Sequence, residues 1–218
     1  MSEKRPLNGF FVCIYYLVNL VAGILHPVTI IGRENLPEHG ALLCPNHNSN
    51  WDPVLVALKV PVNYRLHIMA KKELFCNKVF DWVLRKLGAF PVDRGEGDIE
   101  AVKTALKAIK SGDNLLIFPE GTRNENQELT QLLPFHEGSL KIAQKSGCPV
   151  IPVAITGTAE IFEQHLPFVK PSHVCIRYGE PIYIKELPAE KRKFPGAYTR
   201  DVIEGMLKEM KEEQEQDK

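Results

Sequence analysis

His47 and Asp52 lie in the stretch Asn46-His47-Asn48-Ser49-Asn50-Trp51-Asp52, an H-x4-D spacing. A short apolar run at 41–44 delivers the histidine, a polar loop follows, and Asp52-Pro53 has the residue types that open a helix. Such a loop can fold back so that the carboxylate meets one imidazole nitrogen. That contact fixes the tautomer and leaves the other nitrogen able to take a proton, which is general-base chemistry. The same residues have quieter roles open to them: Asp52 as a plain helix cap, His47 as a satisfied loop histidine. A second block, Phe118-Pro119-Glu120-Gly121-Thr122-Arg123, ends an apolar run with a glycine that permits a tight turn. Thr122 and Arg123 then present donors, and the guanidinium fork of Arg123 suits a phosphate. Glu120 and Arg123 are also close enough in sequence to form a structural ion pair. A third block, residues 88–95, sets Arg94 in a turn after Ala89-Phe90-Pro91-Val92, with a solvated surface loop as the alternative.

Charge supports phosphate handling locally but not globally. Lys+Arg and Asp+Glu both number 27 in 218 residues, which argues against a nucleic-acid binder relying on bulk positive charge. Between positions 59 and 94, however, eight basic residues face three acidic ones, a patch suited to an anionic lipid surface or an anionic substrate. Other chemistries lack their signatures. There is no G-x-S-x-G elbow, no G-x4-GK[ST] loop and no HxH or HExxH pair. Gly95-Glu96-Gly97 begins a dinucleotide fingerprint that Glu100 breaks. Ser49, two residues past His47, has no accompanying signal for covalent catalysis. The five cysteines are scattered, odd in number and never in a CxxC pair, which reads as reduced thiols in a cytosolic environment.

The elements that must position these groups alternate. Strands are expected at 28–32, 41–44, 66–70, 115–118, 150–155 and 174–178. Helices are expected from Asp52 to 58, over 74–87, from an Asp98 cap to Gly112, over 139–146, and around Val202, Ile203, Met206 and Met210, with a fraying polar tail at 211–218. Alternation of this kind implies an α/β fold with at least partly parallel strands. Residues 9–25 carry no charge and follow Lys4 and Arg5, so the segment reads as a membrane anchor, spanning or lying in one leaflet, with a buried core helix as the alternative. No small-x-small site follows to suggest a cleaved signal peptide.

Taken in order from about 28 to about 185, the blocks resemble the glycerolipid acyltransferase family, in its 1-acyl-sn-glycerol-3-phosphate acyltransferase (PlsC-like) group. His47 to Asp52 resembles its NHxSxxD block, Ala70-Lys71-Lys72-Glu73-Leu74 its AKxEL stretch, residues 88–94 its second block, and 118–123 its FPEGTR block in full. Val150-Ile151-Pro152-Val153 resembles its fourth block, Phe135 and Gly138 its PFKxG, and Gly179-Glu180-Pro181-Ile182 its late GEPI. Residues 124–133 and His136-Glu137 depart from the pattern, where a shorter turn and basic residues are usual.

The resemblance implies a mixed, largely parallel sheet flanked by helices behind an N-terminal anchor helix: 1–27 anchor, 28–210 acyltransferase domain, 211–218 charged tail. It implies transfer of an acyl group from acyl-CoA or acyl-carrier protein to the free hydroxyl of 1-acyl-sn-glycerol 3-phosphate at a bilayer, with the site on the cytoplasmic face. No cofactor, metal or nucleic acid is implied. His47 would be the base and Asp52 its orienting partner. Loop amides between them are candidates for holding the oxyanion. Arg123 with Gly121 and Thr122 would grip the acceptor phosphate, Lys71 and Arg94 would assist, and Glu120 is counted in the same substrate-binding group. Another lyso-lipid or glycerol 3-phosphate as acceptor, a non-catalytic phospholipid-binding protein, and a phosphate-ester hydrolase are the competing readings.

Overall fold

The computed structural model describes residues 16, 19, 20, 23, 24, 26–61, 63–93, 98–125, 128, 130–161 and 172–216. Seven strands form one sheet: β1 (Val28–Ile31), β2 (Leu42–Pro45), β3 (Leu66–Lys71), β4 (Ala89–Val92), β5 (Asn114–Leu116), β6 (Val150–Thr156) and β7 (Val174–Tyr178). Their order is β1-β7-β6-β2-β5-β3-β4. Strands β6, β2, β5, β3 and β4 are parallel neighbours, β7 is antiparallel to β6, and β1 is parallel to β7. The sheet is therefore mixed and largely parallel.

Central strand β2 is buried at every position, as expected of a parallel strand covered on both faces. Its side chains alternate between two cores. Ala41 and Leu43 join Leu55 and Val56 of α1 (Asp52–Lys59), and Leu84 of α2 (Lys78–Lys86) packs against the same cluster. Leu42 and Cys44 join Ala101, Ala105 and Ile109 of α3 (Ile99–Lys110) and Leu140, Ile142 and Ala143 of α4 (Glu137–Ser146). After the short α5 (Ala189–Lys193), α6 (Pro195–Gln216) lays Ile203, Met206, Leu207 and Met210 over Ala154 and Cys175. Strand β2 thus leads to a helix on one face and its neighbour β5 to a helix on the other. That divergence lies at the carboxyl ends of the strands, the place where open α/β sheets bind ligands.

Several expected boundaries shift for physical reasons. The 74–87 helix splits into a 3-10 turn (Lys72–Phe75) and α2, whose second residue Val79 donates its amide to Asn77 Oδ1 (2.9 Å). Gly88, at φ 83°, ends it in a left-handed turn where a Cβ would lie 2.4 Å from the Leu66 carbonyl oxygen. Strand β4 escapes a sequence reading because it contains Pro91, which an edge strand tolerates. Trp51, not Asp52, occupies the N-cap position of α1, because the Asp52 carboxylate is engaged elsewhere. By contrast Asp98 does cap α3, accepting from the Ala101 amide at 2.9 Å. The final helix does not give way at 211. It continues to Gln216, and Glu209 and Glu213 on one side of it pair with Arg177 of β7.

Most of the expected anchor at 9–25 lies outside the described residues, as do Arg94 and Cys13. Tyr16, Asn19, Leu20, Gly23 and Ile24 are helical, and no helix among the described residues is long and apolar enough to cross a membrane. Asn19, the one strongly polar side chain of the apolar stretch, donates to the Leu58 carbonyl (2.8 Å) and accepts from Lys59 Nζ (2.7 Å), tying this helix to the end of α1. The four described cysteines are free thiols.

Asn46 extends β2 by one residue through its side chain. Its Oδ1 accepts from the Ile155 amide (2.7 Å) and its Nδ2 donates to the Ile155 carbonyl (3.0 Å), both fully buried. Asn46→Ala strands that amide and carbonyl, at about 1–3 kcal/mol for each buried group left unpaired. The expected result is a lower midpoint in urea unfolding at an unchanged slope. Asn46→Asp, which keeps the acceptor but sets an oxygen against the Ile155 carbonyl, is expected to be no better.

Candidate active site

The chain leaves β2 at Asn46 and reaches His47, whose Nδ1 lies 2.9 Å from Asp52 Oδ2. The same oxygen accepts the amides of Asn48 and Ser49, each at 2.7 Å. Three donors thus converge on one atom of a carboxylate that is fully buried, at the first residue of α1, where the helix dipole also favours an anion. An ionised Asp52 is an acceptor only, so it holds His47 with the proton on Nδ1 and leaves Nε2 as the basic nitrogen. The imidazole rests on the Phe118 ring, centroids 4.2 Å apart and planes tilted by 37°, and its side chain keeps 13% exposure against none for Asp52. The base is open on one edge and fixed on the other.

This geometry narrows the expectation for the loop amides. Those of Asn48 and Ser49 are consumed by Asp52. Those of Trp51 and Asp52 go to Ser49 Oγ and the Ser49 carbonyl, and that of His47 goes to Glu120 Oε1 at 2.8 Å. These five hold the loop and the base, which leaves the Asn50 amide as the loop's candidate for an oxyanion.

The second block arrives from β5. Glu120 is turned inward and is 3% exposed. Its two oxygens accept the amides of His47 (2.8 Å) and Leu133 (3.0 Å), bracing the histidine loop against the loop that follows β5. Burial pushes its carboxyl up, against the pull of those two amides. Glu120 makes no ion pair with Arg123. Arg123 instead points outward, 45% exposed, with Glu125 3.6 Å away in a loose pair. Gly121 stands at φ 72° directly under the His136 ring, where a Cβ would meet Cδ2 and Nε2 at 2.7 Å. Thr122 is exposed beside it. Lys71, at the carboxyl end of β3, is exposed with Glu73 Oε1 at 3.4 Å. The structure therefore brings His47, Asp52 and Glu120 into one bonded unit, keeps Gly121 under His136, and leaves Thr122, Arg123 and Lys71 facing solvent at or beyond the carboxyl ends of β5 and β3.

Three contributors escape the sequence reading. Asn124 donates its amide to the His47 carbonyl (2.6 Å) and its side-chain amide to the Gln131 carbonyl (2.7 Å), so the unusual 124–133 segment helps hold the histidine. Glu137, a departure from the family pattern, accepts the amides of Gly196 and Ala197 (3.0 and 3.2 Å) and fastens the start of α6. Asn46 is the third. Each acts through backbone partners distant in the chain, which spacing cannot reveal.

Known proteins share much of this sequence and fold. The Acyltransferase family profile matches residues 27–156. A 1-acyl-sn-glycerol-3-phosphate acyltransferase of Bacillus subtilis is 33% identical over 168 residues, covering 76% of this chain and 80% of that protein. One of Streptococcus pneumoniae is 30% identical over 85% of this chain and 69% of its own length. One of Saccharomyces cerevisiae is 27% identical over 91% of this chain, which spans 65% of the yeast protein. The crystal structure of the 1-acyl-sn-glycerophosphate acyltransferase PlsC from Thermotoga maritima superposes with a TM-score of 0.71 at 26% identity, covering 93% of this chain and 88% of that one. The profile match takes in more than half of the sequence and includes both the His47–Asp52 pair and the 118–123 block, so this chain belongs to the acyltransferase family.

Proposed function

We propose that this protein is an O-acyltransferase that moves a fatty acyl group from acyl-CoA or acyl-carrier protein to the free hydroxyl of 1-acyl-sn-glycerol 3-phosphate, giving phosphatidic acid. The observation that carries the reading is the 2.9 Å His47–Asp52 contact, with Asp52 held by two backbone amides and Nε2 left free of it. A hydroxyl attacks a thioester poorly until its proton is taken. His47 Nε2 takes that proton as the new C–O bond forms at the acyl carbon. The tetrahedral intermediate then expels the thiolate, the C–S bond breaks, and the imidazolium returns the proton to sulfur. Atoms and charge balance without an acyl-enzyme. Base catalysis of this kind is typically worth about 10²–10⁴-fold.

Arg123 grips the acceptor phosphate, exchanging its solvated pair with Glu125 for a charge-assisted bidentate contact. Gly121 and Thr122 line the approach, and Lys71 adds positive charge from β3. Arg94, outside the described residues, belongs to the same group by its motif. Holding the phosphate fixes the hydroxyl near His47 and removes much of the entropic barrier of a two-substrate reaction. Acceptor and product are both lipids, so the site works at a bilayer, on its cytoplasmic side, and the apolar 9–25 segment is the anchor that keeps it there.

Replacing His47 by Ala is expected to cut thiol release from acyl-CoA with lysophosphatidate by about 10²–10⁴-fold in a protein with unchanged circular dichroism. Retained turnover in the folded variant rules out His47 as the base. Arg123→Ala is expected to raise the acceptor KM and lower kcat. A change confined to the donor KM means the phosphate sits elsewhere. Glu120→Gln offers one acceptor and one donor to two amides. The expected outcome is a kcat loss with a smaller change in acceptor KM, and a stability loss of about 1–3 kcal/mol by urea titration.

A further inference from the structure

We propose that the outer face of α2, with the 3-10 turn before it, is a second lipid-contact surface that lays this side of the protein on an anionic bilayer, independently of the 9–25 segment. The inference rests on the acyltransferase reading only in that the acceptor is a membrane lipid.

Leu74, Val79, Trp82, Val83 and Leu87 are 38–69% exposed. Val79, Val83 and Leu87 recur every four residues and Trp82 lies beside them, so they form one stripe along the helix. The core does not use this stripe. Leu84 and Phe75, on the other side of the same segment, are the residues that pack inward. Cations border it: Lys71, Lys72, Lys78, Arg85 and Lys86 are all exposed, against Glu73 and Asp81 within the segment. The Lys86 ammonium stands 6.0 Å from the Trp82 ring centre, an aromatic with a cation beside it, which suits the headgroup level of a bilayer.

The stripe is not isolated. Twelve large apolar side chains are exposed among the described residues, and eight of them fall in just two places, this segment and the N-terminal helix. Tyr16, Leu20 and Ile24 repeat every four residues there and are 59–71% exposed. Asn19 bonds that helix to the end of α1, and α1 and α2 pack on the same face of the sheet. Two apolar stripes therefore belong to elements held on one face of the sheet, whereas among the described residues Ile99, Tyr183 and Phe194 are exposed singly. An apolar stripe flanked by lysine and arginine matches the interior and headgroups of an anionic leaflet together. An acidic carrier protein would use the cations but has less use for so wide an apolar strip.

The test uses the full chain with vesicles of phosphatidylcholine alone or mixed with phosphatidylglycerol, carrying brominated acyl chains that quench tryptophan on contact. Quenching by the anionic vesicles is expected in the wild type, and its larger part is expected to vanish in Trp82→Phe, which retains Trp51 as the internal control. Val79→Ser/Val83→Ser is expected to lower turnover of lysophosphatidate presented in anionic vesicles by about tenfold. The same variant should process a short-chain, water-soluble acceptor at the wild-type rate. Quenching unaffected by Trp82→Phe overturns the proposal, as does a defect confined to the KM for acyl-carrier protein, which would make the face a protein-docking site. If the chain acylates nothing, the quenching still reads the surface, so the two ideas fail separately.

Discussion

One oxygen of Asp52 governs the site. An ionised carboxylate placed in the interior is costly unless its lone pairs are met by donors. Here the backbone amides of Asn48 and Ser49 and the Nδ1 of His47 meet it within 2.7–2.9 Å, all from the loop just before it. The carboxylate cannot swing toward water without abandoning all three, so the imidazole inherits its rigidity. The amides that hold the carboxylate are then unavailable for any other anion, and they make this part of the loop a clamp on the base.

The clamp needs a frame, and Glu120 with Asn46 supplies it. Asn46 reaches across to β6 with a side chain that imitates a strand residue, while Glu120 reaches back from the β5 loop to the His47 amide and forward to Leu133. Asn124 closes the set on the His47 carbonyl. Loops from opposite faces of the sheet are thus bonded at the point where the connections of β2 and β5 diverge. The inward turn of Glu120 also leaves Arg123 with only its loose Glu125 pair, because the carboxylate three residues before it is used inside the protein.

Around this rigid centre the two sides of the sheet differ. Helices α3, α4 and α6 cover one side with small and apolar residues most of which are buried or half-buried, whereas among the described residues α2 and the N-terminal helix carry the exposed apolar stripes. A catalytic edge beside an apolar, cation-bordered face suits a reaction whose acceptor carries both a phosphate and an acyl chain.

Much of this was legible in the residues. The H-x4-D spacing, the 118–123 block and the alternation of strands and helices required only short-range rules, because the His47–Asp52 contact closes within one loop and the parallel strands are continuous apolar runs. Strand β4 was hidden by Pro91, and the persistence of α6 to Gln216 by its charged composition, which Arg177 on a distant strand compensates. Residue types and local spacing therefore determined the chemistry available to the chain. What the tertiary structure alone decided was how that chemistry is held: that Glu120 braces instead of binding Arg123, that Asn46, Asn124 and Glu137 are scaffolding, and that the two exposed stripes belong to elements held on one face of the sheet. Each of those depends on a partner tens of residues away, and the direction of a side chain is set by which backbone groups the fold brings within hydrogen-bonding distance.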